Sequence, residues 1–175
     1  MAPSKRYVNP DAISFARFRA GAIPSSSGSD ESEVQAGRYA ETPGHLLRRA
    51  HQAHNQLWTE IVPPGITGSQ YAILAVLSVN GELDQATVGR LTSLDRSSIA
   101  ELASRMASRG LIGRRRDDLD ARKQILRITA EGSRTLAEAE PHVRHVGDRL
   151  LAPLSSDERA RFLDFLRRIG DSANI

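Results

Sequence analysis

The sequence predicts a mainly α-helical fold that carries one small β-hairpin. Two observations decide this. Apolar residues recur every three or four positions over most of residues 42–109 and 129–169, the period of helices with one buried face. Only around LIGRRR and QILRI, on either side of DDLDARK, does the pattern change to short runs rich in branched or long side chains, as in paired strands. A third observation, the placing of cap and turn residues, sets the boundaries.

Residues 1–40 read as a flexible extension. PSSSGSDESE (Pro24–Glu33) is small, polar and acidic, with no apolar pattern. Before it, Ala12–Ala20 carries Ile13, Phe15, Ala16 and Phe18, a segment suited either to docking on a partner or to a weakly ordered tail. The folded part is expected to start near Thr42, a helix cap with Pro43 at the first helical position. Leu47, Ala50, His54, Leu57 and Ile61 keep helical spacing until Val62–Gly65 (VPPG) stops it. Thr67 can cap the next helix, whose apolar residues are Tyr71, Leu74, Ala75 and Leu77, and Asn80-Gly81 marks a turn.

A short helix follows from about Asp84 to Leu91. The turn Thr92–Leu94 leads to Asp95, a good N-cap, and to a helix ending near Arg109 with Ile99, Leu102, Ala103 and Met106 as its buried stripe. Gly110 suits the position just past a helix end. After the hairpin, Thr129 opens a long helix. In it Leu136, Val143 and Leu150 recur at seven residues, a spacing compatible with a helix–helix seam, and Pro141 is expected to kink it. Ser155 and Glu158 read as a capping box for a last helix with Leu163, Leu166 and Ile169 inward.

Charge is spread unevenly. From Arg90 to Arg127 ten Arg or Lys stand against five Asp or Glu, a net +5 in a chain whose total is +3. A positive field confined to one stretch points to an acidic partner more strongly than the total does. With no cysteine, a disulfide scaffold, a thiol nucleophile and a cysteine-ligated metal are excluded. No apolar run approaches the roughly 18 residues of a membrane span. MAPSKRYVNPDAISF has basic residues without an apolar stretch behind them, so no secretory signal is read and the cytoplasm is the expected compartment.

Two helices joined by a tight turn, then a hairpin with a charged tip, make a winged helix-turn-helix pattern. The second helix of the pair can lie in a major groove roughly 12 Å wide. Its side away from the buried stripe presents Arg96, Ser97, Ser98 and Glu101, with Arg105 a turn further. Arg takes guanine in a bidentate way, and Ser bonds either base or phosphate. In the hairpin, strand alternation sends Arg114 and Arg116 to one face and Arg115 to the other. The tip carries Asp120, Arg122 and Lys123. An Arg there can enter a minor groove, where the potential is most negative, with Asp120 two residues away to hold it.

These stretches resemble the MarR family of bacterial transcription regulators. The likeness runs through PGITGSQYAILAVLSVNG, LDQATVGRLTSLDRSSIAELASRMASRGLI and RRRDDLDARKQILRITAEG. Its most specific part is Asp120-Ala121-Arg122 followed by Leu126 to Gly132, and it covers about Thr42 to Ile169. The resemblance implies a homodimer whose first and last helices interlock. Residues 41–66 would be an N-terminal dimerisation helix, 67–130 the DNA-binding lobe and 131–175 the C-terminal dimerisation helices. Double-stranded DNA with a pseudo-palindromic operator would be the partner, two half-sites lying about one helical turn apart. It further implies repression relieved by a small phenolic or aromatic acid, with Arg122 as the minor-groove residue and Asp120 as its support. The resemblance says nothing of the extension.

Where the effector would sit is left open between two readings. His51, His54 and Trp58 share one helical face, and Tyr71 can face the same cleft, so a ring could stack on Trp58 while a histidine bonds its carboxylate or hydroxyl. Equally, these side chains can fill the dimer core. His142-x-x-His145 has the spacing of two zinc ligands, and a metal-sensing regulator of the same fold is one alternative. With no cysteine and no evident carboxylate partner, no metal or cofactor is expected. No phosphate-cradling glycine loop, G-x-S-x-G or H-E-x-x-H is present, so no enzyme is read. Asp117, Asp118 and Asp120 imitate a magnesium site, but a wing accounts for them more simply. A winged helix used only for protein contact is the other alternative.

Overall fold

The computed structural model describes residues 39–172. The chain divides into two units, Met1–Leu46 and Leu47–Ile175. The extension read for residues 1–40, with its Ala12–Ala20 segment, lies outside the described residues except for residues 39 and 40. Elements are α1 (Pro43–Ile61), α2 (Gly68–Asn80), β1 (Leu83–Asp84), α3 (Gln85–Leu91), α4 (Arg96–Ser108), β2 (Ile112–Arg116), β3 (Gln124–Ile128), α5 (Ala130–Leu150) and α6 (Ser156–Ser172).

In the first unit, the predicted Thr42 cap is corrected. The Thr42 hydroxyl donates backward to the Tyr39 carbonyl at 2.8 Å. Only its carbonyl serves the helix, accepting from the His45 and Leu46 amides at 3.0 Å.

In the second unit the helices start where short polar side chains can take free amides. Thr67 forms a full capping box with Gln70 at the head of α2, and Asp84 accepts from the Thr87 amide at the head of α3. Thr129 accepts from the Gly132 amide to open α5. At α6, Glu158 accepts from both the Ser155 amide (2.8 Å) and its hydroxyl (2.7 Å). Beyond α4, Gly110 has φ +74°, a conformation only glycine adopts freely.

The sheet holds one strand more than the sequence suggests. β1 is two residues long, too short to show a period, and pairs antiparallel with β3 so that the order is β1-β3-β2. Leu83 and Ile112 flank Leu126 and Ile128 across the ladder. The sheet caps a core of Ile73, Leu74 and Leu77 from α2, Val88 from α3, Ile99, Ala103 and Met106 from α4, and Leu126 from β3, all nearly inaccessible.

Two expected helix faces need correction. In α5 the buried line is Gly132, Ala139 and Val146, also a seven-residue repeat, while Leu136, Val143 and Leu150 flank it half-buried. The helix continues through Pro141. In α6 nothing is buried: Leu163, Phe165, Leu166 and Ile169 are exposed by 38 to 55%. The periodicity identified an apolar face correctly, but nothing among the described residues covers it.

Candidate nucleic-acid interface

The turn between α3 and α4 is held by backbone. The Thr92 amide donates to Val88 and the Leu94 amide to Gly89, with Ser93 at φ +54°. Gly89 makes the close approach possible, because a Cβ there would stand 3.1 Å from the Leu94 carbonyl and 3.2 Å from Ile99. This tight crossing aims the first turn of α4 outward.

Asp95 organises that turn. Its carboxylate accepts from the Ser97 and Ser98 amides, both at 2.9 Å, and from their hydroxyls at 2.5 and 2.6 Å. These four donors, the Ser97 and Ser98 hydroxyls foremost, hold its pKa far below the usual carboxylate range. Ser97 and Ser98, read as DNA-facing in the sequence, also serve this cap. Their hydroxyls donate to Asp95. Further along, Arg105 lies 2.9 Å from Glu101 on the exposed side of the helix.

The three consecutive arginines separate by strand alternation as expected. Arg114 and Arg116 stand on the face of the ladder that also carries Ile112, Leu126 and Ile128. At the root that face covers the core; beyond the core's edge it carries the two arginines into solvent. Arg115 takes the other face and serves the fold. It reaches Glu82 at 2.8 Å and Asp118 at 3.3 Å, tying the hairpin to the chain just before β1. Those two carboxylates, Glu82 first, raise its pKa.

The hairpin tip is a folded loop. Asp117 accepts from the Leu119 and Asp120 amides and is held below its ordinary pKa by them, while its own amide donates to Lys123. Asp120 accepts from the Arg122 amide at 3.1 Å, and its carboxylate lies 3.7 Å from Arg122 Nε. Arg122 is 96% exposed. The three aspartates that resemble a magnesium site are therefore occupied by loop amides and arginines.

Recognition helix and wing meet in one cleft of about 560 Å³, lined by Arg96 from α4 and by Arg122 and Lys123 from the hairpin. Arg90, at the end of α3, joins them. It was counted in the basic stretch but not singled out, because only the fold brings α3 beside the wing. Glu82 was missed for the same reason, lying 33 residues from Arg115.

The second set of candidates forms a ladder of rings. His51 and His54 centroids are 6.5 Å apart, His54 and Trp58 5.9 Å, and Trp58 meets Tyr71 of α2 edge-on at 6.1 Å. Asn55, missed from sequence, bridges the histidines: its amide nitrogen is 3.3 Å from His51 Nδ1 and its oxygen 3.4 Å from His54 Nδ1. Spacing by four from His51 was the available signal. The structure brings all four candidate residues into one row. An open groove along α1 takes in His51 with Arg48, Gln52, Asn55, Gln56, Thr59 and Glu60. Among the described residues, no group of three or more His, Asp or Glu is placed to hold a metal ion. His142 lines a cleft beside α4, while its expected companion His145 is exposed. Among the same residues no helix is long and apolar enough to cross a membrane.

A recognition helix set by a tight turn, beside a three-stranded sheet whose hairpin projects cations, defines a winged helix-turn-helix protein of the DNA-binding regulator class. Comparison with known proteins narrows this. The MarR family model matches residues 65–123. The transcriptional regulator HosA of Escherichia coli is 30% identical over 125 residues, 71% of this chain and 92% of that protein. The PcaV transcriptional regulator of Streptomyces coelicolor, solved in complex with its natural ligand, is 45% identical with a TM-score of 0.73, over 77% of this chain and 95% of that one. The transcriptional repressor CouR, solved bound to a 23-mer DNA duplex, is 29% identical with a TM-score of 0.69, over 77% and 96%. The chain belongs to the MarR family of transcriptional regulators, as its wing motif suggested.

Proposed function

We propose that this regulator is a repressor that binds a pseudo-palindromic operator as a homodimer and is released by a small aromatic or phenolic acid. The observation that carries the DNA part is the shared cleft in which Arg96, Arg122 and Lys123 lie together on the recognition helix and the wing. Arg96 reads base edges, with Glu101 and Arg105 beside it. Arg122 enters the minor groove with Asp120 steadying it, and Arg114, Arg116 and Lys123 meet phosphates. CouR, a repressor bound to duplex DNA, supports this reading.

The uncovered apolar face of α6 supports a dimer. Leu163, Phe165, Leu166 and Ile169 form a stripe that a second copy would bury. The row of His51, His54, Trp58 and Tyr71 supports an aromatic effector, and PcaV, solved with its natural ligand, supports a small-molecule effector. Ligand in that region favours a spacing of the two recognition helices that no longer fits the operator.

Selection of genomic fragments by the purified protein at near-physiological salt, followed by sequencing, tests this. The expected result is one enriched two-fold symmetric site, from which a panel of hydroxybenzoates displaces the protein. Sedimentation should give a dimer. Enrichment without symmetry would remove the dimeric mode. No enrichment would favour a winged helix turned to protein contact.

A further inference from the structure

The loop between α1 and α2 is held from two directions at adjacent carbonyls. Trp58 Nε1 donates to the Ile66 carbonyl at 3.3 Å. Arg109, at the C-terminal cap of α4, donates through Nη2 to the Gly65 carbonyl at 2.6 Å. Trp58 belongs to the ring ladder, and Arg109 ends the helix that carries Arg96 and Arg105. The two carbonyls belong to successive peptide units, Gly65–Ile66 and Ile66–Thr67, which meet at the buried Ile66, so this short stretch lies between the two candidate sites. Its geometry is set by Gly65, whose φ of +127° is disfavoured for any residue with a Cβ. Val62 and Ile66 are buried, so the loop is seated in the core at both ends. Beside it a cleft of about 300 Å³, lined by Pro63, Arg109, Glu138 and His142, leaves the Gly65 side room to shift.

We infer that Arg109 and the short Gly65–Ile66 segment are the mechanical link between the aromatic ladder and the recognition helix. A guanidinium is planar and rigid, and its hydrogen bond to a carbonyl is charge-assisted and directional. A displacement of Trp58 moves the Ile66 carbonyl. Because Ile66 is seated in the core, the shift passes through its Cα to the preceding peptide unit and the Gly65 carbonyl, and Arg109 carries it to the end of α4. Arg109 thus acts as a positioning residue, through the end of α4. The inference rests on the proposed reading of the ladder as the effector side.

Coupling between two sites is reciprocal, so DNA must perturb the ladder as the ladder perturbs DNA binding. Trp58 is the only tryptophan in the chain, and its emission reports on the ladder with no effector present. The experiment titrates the full chain with a duplex it has selected from genomic fragments, following Trp58 emission and DNA anisotropy together. The parent should show an emission change that saturates with DNA binding. Arg109→Gln should bind the duplex within about twofold of the parent, as for a surface substitution, yet lose the emission change. Arg109→Lys, which keeps the charge without the planar fork, should restore it only in part.

An emission change that persists in Arg109→Gln, or is absent from the parent, overturns the link. So does loss of DNA binding in Arg109→Gln, which would place Arg109 in the DNA surface itself. Failure of the effector reading is seen separately: no hydroxybenzoate would release DNA, while the emission change would still depend on Arg109.

Discussion

Replacing Gly132 with Ala tests how the recognition lobe is fixed to α5. Helix propensity alone favours the change, since Ala is about 1 kcal/mol better than Gly inside a helix. The structure opposes it. A Cβ at Gly132 would stand 2.1 Å from the Leu111 carbonyl oxygen and 3.0 Å from Ile128 Cγ1. That oxygen cannot turn aside cheaply, because it accepts from the Thr129 amide at 3.2 Å and the Thr129 hydroxyl at 3.0 Å. Backbone must separate until the contact passes 3.0 Å, which costs about 1–3 kcal/mol for ordinary overpacking and here falls at the upper end. The net loss is about 2 kcal/mol, or roughly 4–8 °C in Tm for a chain of this size. Leu111 joins α4 to β2, so the displacement also reaches helix and wing, and DNA affinity should fall with it. Thermal unfolding of Gly132→Ala beside Gly147→Ala decides the matter. Gly147 has nothing within 4 Å of its Cβ position and should be neutral or slightly stabilising. A Gly132→Ala protein that melts at or above the parent temperature would refute the packing argument.

Other expectations concern charge. Arg122→Ala should weaken binding to all duplexes and flatten the salt dependence by about 0.9 log units per log unit of salt for each phosphate interaction lost, whereas Arg96→Ala should relax sequence preference; competition titrations at several salt concentrations separate them. Asp95 has its pKa lowered by the Ser97 and Ser98 donors, so its contribution to stability is present above its ordinary value of 3.8 and is lost as pH falls toward the depressed one. Asp95→Asn should therefore melt with a weaker acid dependence below about pH 4, measured by Tm against pH. Arg115→Ala should leave global melting almost unchanged, because its ion pairs are exposed, yet speed amide exchange at the hairpin tip, where it alone ties Asp118 to Glu82. Unchanged exchange at the tip would show that the loop amides on Asp117 hold the wing unaided.

Much of this molecule is legible in local sequence. Asp95, Thr67 and Thr129 cap helices for reasons that act within three residues, and Gly110 ends one because of its own backbone freedom. Branched and long side chains in LIGRRR and QILRI suit the pleat of a strand, and the wing motif from Asp120 to Gly132 carries the family resemblance. Thr42 shows the limit of that reasoning: a cap residue has two directions in which to bond, and its hydroxyl bonds backward to Tyr39.

What required the tertiary structure is everything that joins residues far apart in the chain. Charge counting could place Arg114, Arg115 and Arg116 together; only the ladder shows that Arg115 turns to Glu82 while its neighbours run into solvent. Helical spacing put His51, His54 and Trp58 on one face with Tyr71 expected opposite; only the crossing of α1 and α2 sets the edge-on contact of Trp58 and Tyr71. Likewise, periodicity found an apolar stripe on α6, but only the tertiary structure shows that it stands exposed among the described residues. Hydrogen bonds within a turn are determined by neighbours in sequence. Contacts between elements depend on how the core packs, and packing is a property of the whole chain rather than of any stretch of it.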